Sequence, residues 1–315
     1  MTDKIKIAAI VGPTASGKTA LSIALAKKYN GEIVSCDSMQ VYLGMDVGTA
    51  KPDLAERDGV VHHMFDVADP KGTYSCADYV RDAKEKIREI ASNGRLPIIC
   101  GGTGLYLDSL LRGGSFEVTD TLPEYREELM QLAAREGNDR VHQMLREVDP
   151  ESADSTHPNN LKRVIRALEI YRSSGVKKSV LDKQSREPES EYDALVVGIR
   201  FSDRDALYDR INRRVDIMLD MGLEEETRRL LAEGVFDSSG TATQAIGYKE
   251  LLGYIKGEMT LAEAAEELKT ASRRYAKRQM TWFNSHSNVQ WIDVEGEYDS
   301  EKLLEKACKL FGEFV

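Results

Sequence analysis

The chain has 315 residues, 41% apolar and 30% charged, with eight prolines, a composition that excludes disordered and fibrous classes and calls for a packed core. Its length fits about two domains, one of which need not be contiguous. A formal net charge of −10 argues against a uniformly basic nucleic-acid binder, because neutralised phosphates dominate that affinity, yet acidic proteins still carry basic faces.

The first predicted element is a strand over Ile5 to Val11. Its apolar run is too short for a secretion signal or a membrane span, so a cytoplasmic protein without a membrane partner is expected. Gly12-Pro13-Thr14-Ala15-Ser16-Gly17-Lys18-Thr19 follows, matching G-x-x-x-x-G-K-[ST] and opening a helix rich in Leu21, Ile23 and Leu25. In that setting the loop amides converge on phosphate oxygens, Lys18 supplies a point charge and the Thr19 hydroxyl can ligate Mg²⁺. A glycine-rich turn that binds nothing is the bland alternative. The motif does not say which phosphate is held.

A second strand, Glu32 to Cys36, runs into Asp37-Ser38-Met39-Gln40-Val41-Tyr42. Carboxyl ends of parallel strands face the ligand crevice, so Asp37 should open on the P-loop side, placed to act on whatever attacks the phosphate-bearing substrate. A cap at a strand-to-helix turn is the competing reading. His62 and His63 stand before Met64-Phe65-Asp66-Val67; adjacent positions in an extended segment point to opposite faces, which favours a structural role over a metal site. Helical spacing runs from Cys76 to Ile90, stopped by Asn93 and Gly94 before a strand over Pro97 to Cys100. That strand ends in Gly101-Gly102-Thr103-Gly104, where an NTPase would need a metal-binding acid. Cys36, Cys76, Cys100 and Cys308 form no C-x-x-C pair and no zinc spacing, so reduced, mostly buried thiols are expected.

From Thr121 to Arg186 strand signals vanish, and helical patterns cover Glu124 to Arg135, Val141 to Val148 and Leu161 to Arg172. An all-helical stretch between strands of one sheet reads as an insertion domain over 117–194, with 1–116 and 195–315 as the core. Strands over Leu195 to Ile199 and Val289 to Val294 complete an α/β fold: a P-loop NTPase-like parallel sheet flanked by helices. Three or four helices should follow Leu195. One runs from Asp203 to Leu219, with Arg210, Arg213 and Arg214 on one polar face; another is opened by a Thr260–Glu263 capping box and runs towards Asn284. The latter's apolar stripe, Leu261, Ala264, Ala265, Leu268, Ala271 and Tyr275, leaves Lys269, Arg273, Arg274, Lys277 and Arg278 largely off it. Lys162, Arg163 and Arg166 form a second basic cluster. A solvated face is the default for such charges.

Seven stretches together resemble the tRNA dimethylallyltransferase (tRNA isopentenyltransferase) family, bacterial type, along nearly the whole chain. They are the P-loop, residues 37–42, Gly48-Thr49-Ala50-Lys51-Pro52, Gly101-Gly102-Thr103-Gly104-Leu105-Tyr106, His157-Pro158-Asn159 with Arg163 and Arg166-Ala167-Leu168-Glu169 behind it, Ala245-Ile246-Gly247-Tyr248-Lys249-Glu250, and Tyr275-Ala276-Lys277-Arg278-Gln279-Met280-Thr281-Trp282. The resemblance is to the type without the zinc-finger extension of some eukaryotic members, so no such extension is expected.

The resemblance implies that the P-loop holds the diphosphate of dimethylallyl diphosphate rather than ATP, which fits the missing strand-end acid. It makes Asp37 the base facing an adenine amine, Thr103 a contact to the flipped nucleotide, and Arg214 a clamp on the diphosphate beside Lys18 and Thr19-bound Mg²⁺. The insertion would grip the anticodon stem-loop. Contacts to tRNA are implied for Asp37, Ser38, Met39, Gln40, Thr103, Arg126, Leu161, Lys162, Arg163, Val164, Ile165, Lys277 and Arg278, in a monomer modifying the adenosine 3′ of the anticodon. Three other readings stay open: a small-molecule kinase using ATP, prenylation of a free adenine nucleotide, and a non-catalytic RNA-binding protein.

Overall fold

The computed structural model describes residues 4–112, 122–184, 189–237 and 240–315. The chain divides into two compact units, Met1–Leu111 with Glu191–Val315, and Arg112–Ser190. The first holds β1 (Ile5–Val11), β2 (Gly31–Ser35), β3 (His62–His63), β4 (Leu96–Cys100), β5 (Tyr192–Phe201) and β6 (Val289–Val294). They join in the order β3-β2-β4-β1-β5-β6 with every pairing parallel.

Strand β1 explains its own central place. Ile7, Ala9 and Val11 face one core with Val34, Ile99 and Val196, whereas Ala8 and Ile10 face another with Ile33, Ile98 and Val197. A strand apolar at every position from Ile7 onward is covered on both faces, which only flanking helices can provide. Helices α1 (Lys18–Lys28), α2 (Cys76–Ser92) and α3 (Gly104–Leu111) belong to this unit. The second unit is helical: α4 (Pro123–Glu136), α5 (Asn138–Val148), α6 (Pro150–Ser155), α7 (Leu161–Ser174) and α8 (Lys178–Gln184). Back in the first unit come α9 (Arg204–Asp220), α10 (Leu223–Ala232), α11 (Tyr248–Ile255), α12 (Leu261–Asn284) and α13 (Ser300–Phe314). Leu21, Leu25, Leu303, Ala307 and Phe311 of α1 and α13 cover one face of the sheet, and residues of α2, α3 and α9 to α12 cover the other.

Long helices lie where helical spacing predicts them, and the capping box holds. Thr260 Oγ1 accepts the Glu263 N–H at 3.2 Å while the Glu263 carboxylate accepts the Thr260 N–H at 2.8 Å. Two expectations need correction. Five helices, not three or four, follow β5 among the described residues, because the eight-residue α11 and ten-residue α10 span few turns. Strand β5 starts at Tyr192 rather than Leu195, since Tyr192 and Asp193 pair with Ile5 and Lys6. The helical unit accordingly ends at Ser190 rather than 194; its expected start, residue 117, lies outside the described residues. Among those residues no helix is long and apolar enough to cross a membrane.

Candidate active site

Beyond β1 the chain turns through Gly12 (φ 143°), Ala15 (φ 62°) and Gly17 (φ 93°) into α1. Positive φ at these three positions folds the loop over the amino terminus of α1, a place whose dipole favours an anion. The Lys18 ammonium donates to the Pro13 carbonyl at 2.6 Å. Burial pushes its pKa down to about 8; the Arg214 charge acts in the same direction, against Cys100 and Asp37. Thr19 is exposed.

Two side chains whose roles sequence reasoning misses hold this loop. Arg210 Nε donates to the Ala15 carbonyl at 2.9 Å, its guanidinium 3.9 Å above the Tyr298 ring. Buried Gln279 accepts the Thr14 N–H at 2.8 Å. The available signal was a glutamine four residues after Tyr275, on the apolar stripe of α12.

Asp37 stands just past β2. Its Oδ1 accepts the Met39 N–H at 2.9 Å and the Gln40 N–H at 3.4 Å, so it caps a turn rather than the helix expected there. The cap uses only the Oδ1 oxygen. Strand β4 braces this turn: Thr103 N–H donates to the Cys36 carbonyl at 3.1 Å, and Thr103 Oγ1 accepts the Ser38 N–H at 3.0 Å. A Cβ at Gly101 would stand 2.1 Å from the Cys36 carbonyl oxygen, so no side chain, a carboxylate included, fits at position 101.

Thr14, Asp37, Ser38, Met39, Arg214, Tyr275 and Arg278 line one cavity of about 240 Å³ in the first unit, with Gly48, Thr49 and Ala50 among its walls. Glu226 fixes that wall, accepting N–H bonds from Asp46, Val47 and Gly48 at 3.0–3.1 Å and the Tyr248 hydroxyl at 2.7 Å. Gln40 supports it behind, donating to the Thr49 and Ala50 carbonyls at 3.3 Å. Arg214 makes no hydrogen bond or ion pair among the described residues. Burial lowers its pKa, with Asp37 and Glu56 opposing that shift. Arg214 is thus a desolvated guanidinium on the cavity wall. Arg213 beside it is exposed, so α9 separates three arginines that spacing had placed on one face.

The basic run of α12 also divides. Lys269 pairs with Asp216 at 2.8 Å, and Arg273 donates to Asn212 at 2.5 Å and Thr270 at 2.9 Å. These two fasten α12 to α9, whereas Arg274, Lys277 and Arg278 are exposed.

In the helical unit Lys162 and Arg163 are exposed and Leu161 half-buried. Val164 and Ile165 are corrected as side-chain contacts to a ligand: both are buried in that unit's core with Leu129, Leu145 and Leu168. Arg126 is engaged too, forming two hydrogen bonds at 3.0 and 2.6 Å to the wholly buried Glu169. His63 meets the Glu32 carboxylate at 2.5 Å and His62 Nδ1 donates to the Val60 carbonyl at 2.9 Å, which gives both histidines structural partners.

The family model described as IPP transferase matches residues 40–286. Among curated proteins, the tRNA dimethylallyltransferase of Bacillus anthracis is 51% identical, covering 95% of this chain and 94% of its own length. That of Acetivibrio thermocellus is 47% identical over 96% of each. Among solved structures, the tRNA isopentenylpyrophosphate transferase of Bacillus halodurans superposes with a TM-score of 0.73 at 44% identity, over 99% of this chain and 97% of that one. A eukaryotic dimethylallyltransferase acting on tRNA gives 0.82 at 28% identity, over 98% and 80%. With its P-loop NTPase-like sheet, the chain belongs to the IPP transferase family and is a transferase.

Proposed function

We propose that this transferase moves a dimethylallyl group from dimethylallyl diphosphate to the exocyclic amine of the adenosine 3′ of the anticodon in tRNA, releasing diphosphate. The observation that carries this reading is one cavity shared by Thr14 of the phosphate loop, the unpaired Arg214 and Asp37. An adenine amine is a weak nucleophile because its lone pair is delocalised, so catalysis must act on the leaving group. The loop amides, Lys18 and Arg214 take up charge as the allylic C–O bond breaks. The amine nitrogen forms the new C–N bond, and its proton passes to the Asp37 oxygen not used in the cap.

The donor set fits Mg²⁺ held through the Thr19 hydroxyl, with substrate oxygens and water completing the shell; no cluster of three His, Cys, Asp or Glu offers an all-protein cage among the described residues. Bound there, the ion would neutralise diphosphate charge. The base is stacked in its loop and must be extruded to reach the cavity. Ser38, Met39, Lys277 and Arg278 contact the anticodon loop in this reading, and Lys162 and Arg163 contact its stem through phosphates.

The test is incubation of the purified protein with labelled dimethylallyl diphosphate and Mg²⁺ and either an anticodon stem-loop or AMP. Label in the stem-loop with equimolar diphosphate release is expected. Label in AMP alone, or phosphoryl transfer from ATP to a small molecule, overturns it.

A further inference from the structure

Gln279 is buried on α12, the helix that sends Tyr275 and Arg278 into the cavity. Both ends of its amide are used across two loops: Oε1 accepts the Thr14 N–H at 2.8 Å, and Nε2 donates to the Gly102 carbonyl at 3.1 Å. These loops leave the neighbouring strands β1 and β4, paired through Ile10 and Cys100. Thr14 belongs to the phosphate cradle. Gly102 precedes Thr103, whose hydroxyl holds the turn bearing Asp37. The fit leaves no slack, since a Cβ at Gly102 would lie 1.9 Å from Gln279 Nε2.

Where the two loops leave β1 and β4, the Gln279 amide ties one to the other. Displacement transfer needs the leaving group and the nucleophile aligned to a fraction of an ångström, and displacement by about 1 Å can cost about 10² in rate. An amide suits this place, because one end must accept and the other donate. A carboxylate would set oxygen against the Gly102 carbonyl, and an aliphatic chain would leave both loops free.

We infer that Gln279 is a positioning residue for prenyl transfer: it locks the phosphate loop to the Thr103–Asp37 segment, so that donor and acceptor meet in register. The inference rests on the function proposed above, and transfer by the wild-type protein tests that reading separately. Gln279→Met removes both hydrogen bonds at similar volume, and Gln279→Glu keeps only the acceptor. Both should lower the single-turnover transfer rate about 10²-fold, while stem-loop affinity by filter binding and the affinity for inorganic diphosphate with Mg²⁺ stay within about threefold. A readout on the unaltered protein stands even if a variant fails to fold. Hydrogen exchange should show the Thr14 N–H protected before any ligand is added. Rapid exchange at Thr14 in the wild type overturns the inference. So does a variant rate within threefold of wild type, or a rate loss matched by equal loss of stem-loop affinity, which would make Gln279 an RNA contact.

Discussion

The Thr103 hydroxyl accepts the Ser38 N–H at 3.0 Å, which ties the turn carrying Asp37 to the end of β4. Thr103→Val preserves shape but strands that part-buried amide, a loss of about 1–3 kcal/mol at most. Much of this should reach the transition state, because the turn presents the base. Thr103→Val is expected to lower the transfer rate at least about tenfold, the equivalent of about 1.4 kcal/mol, with Thr103→Ser close to wild type. Equal rates for the two variants would show that the hydroxyl does not set the turn.

Lys18 gives a pH dependence. Its folded pKa is lowered to about 8 from the ordinary lysine value of 10.5, so between those values the unfolded chain holds the extra proton. Stability of the free protein therefore gains from this group as pH rises from about 8 towards 10.5, and below about 8 the full cost of the buried charge is present. Diphosphate beside the amine restores the charged form. Calorimetric titration with inorganic diphosphate and Mg²⁺ at pH 8, in buffers of different ionisation enthalpy, should show about half a proton more taken up by wild type than by Lys18→Met. Identical uptake would place Lys18 away from the diphosphate.

The exposed part of α12 predicts a salt effect. Replacing Lys277 and Arg278 together with Ala should flatten the slope of log affinity for tRNA against log salt by about 0.7–0.9 per lost phosphate contact. Lys269→Ala is the control; its ammonium is engaged by Asp216, and the slope should not change. Identical slopes for all three proteins would return Lys277 and Arg278 to ordinary solvated charges.

What could be read from the sequence was whatever backbone geometry or strand position writes into residue types. The P-loop is legible because its positive φ values demand glycine at Gly12 and Gly17, and Asp37 because the residue after a parallel strand faces the crevice. Side chains whose roles depend on distant partners were not legible. Arg213 and Arg214 are neighbours about 100° apart on one helix, and tertiary packing alone leaves one in solvent and turns the other into a cavity. Lys269 and Arg273 resemble the rest of a basic face until Asp216 and Asn212 of α9 engage them. Arg126 has the charge of an RNA contact, but its partner Glu169 lies 43 residues away. Gln279 joins loops that no local period connects.

The central claim is that Asp37 takes the proton of the attacking amine, and Asp37→Asn tests it most directly. Asn keeps the carbonyl oxygen that caps Met39 and Gln40, and Asn and Asp cap nearly equally well, so the turn should survive while the base is lost. The measurement is the single-turnover rate of prenyl transfer, taken with the tRNA dissociation constant on the same preparation. The rate should fall by about 10² to 10⁴, the usual range for a positioned general base, with affinity unchanged. A rate within a few-fold of wild type at unchanged affinity would contradict the account, reducing Asp37 to its cap.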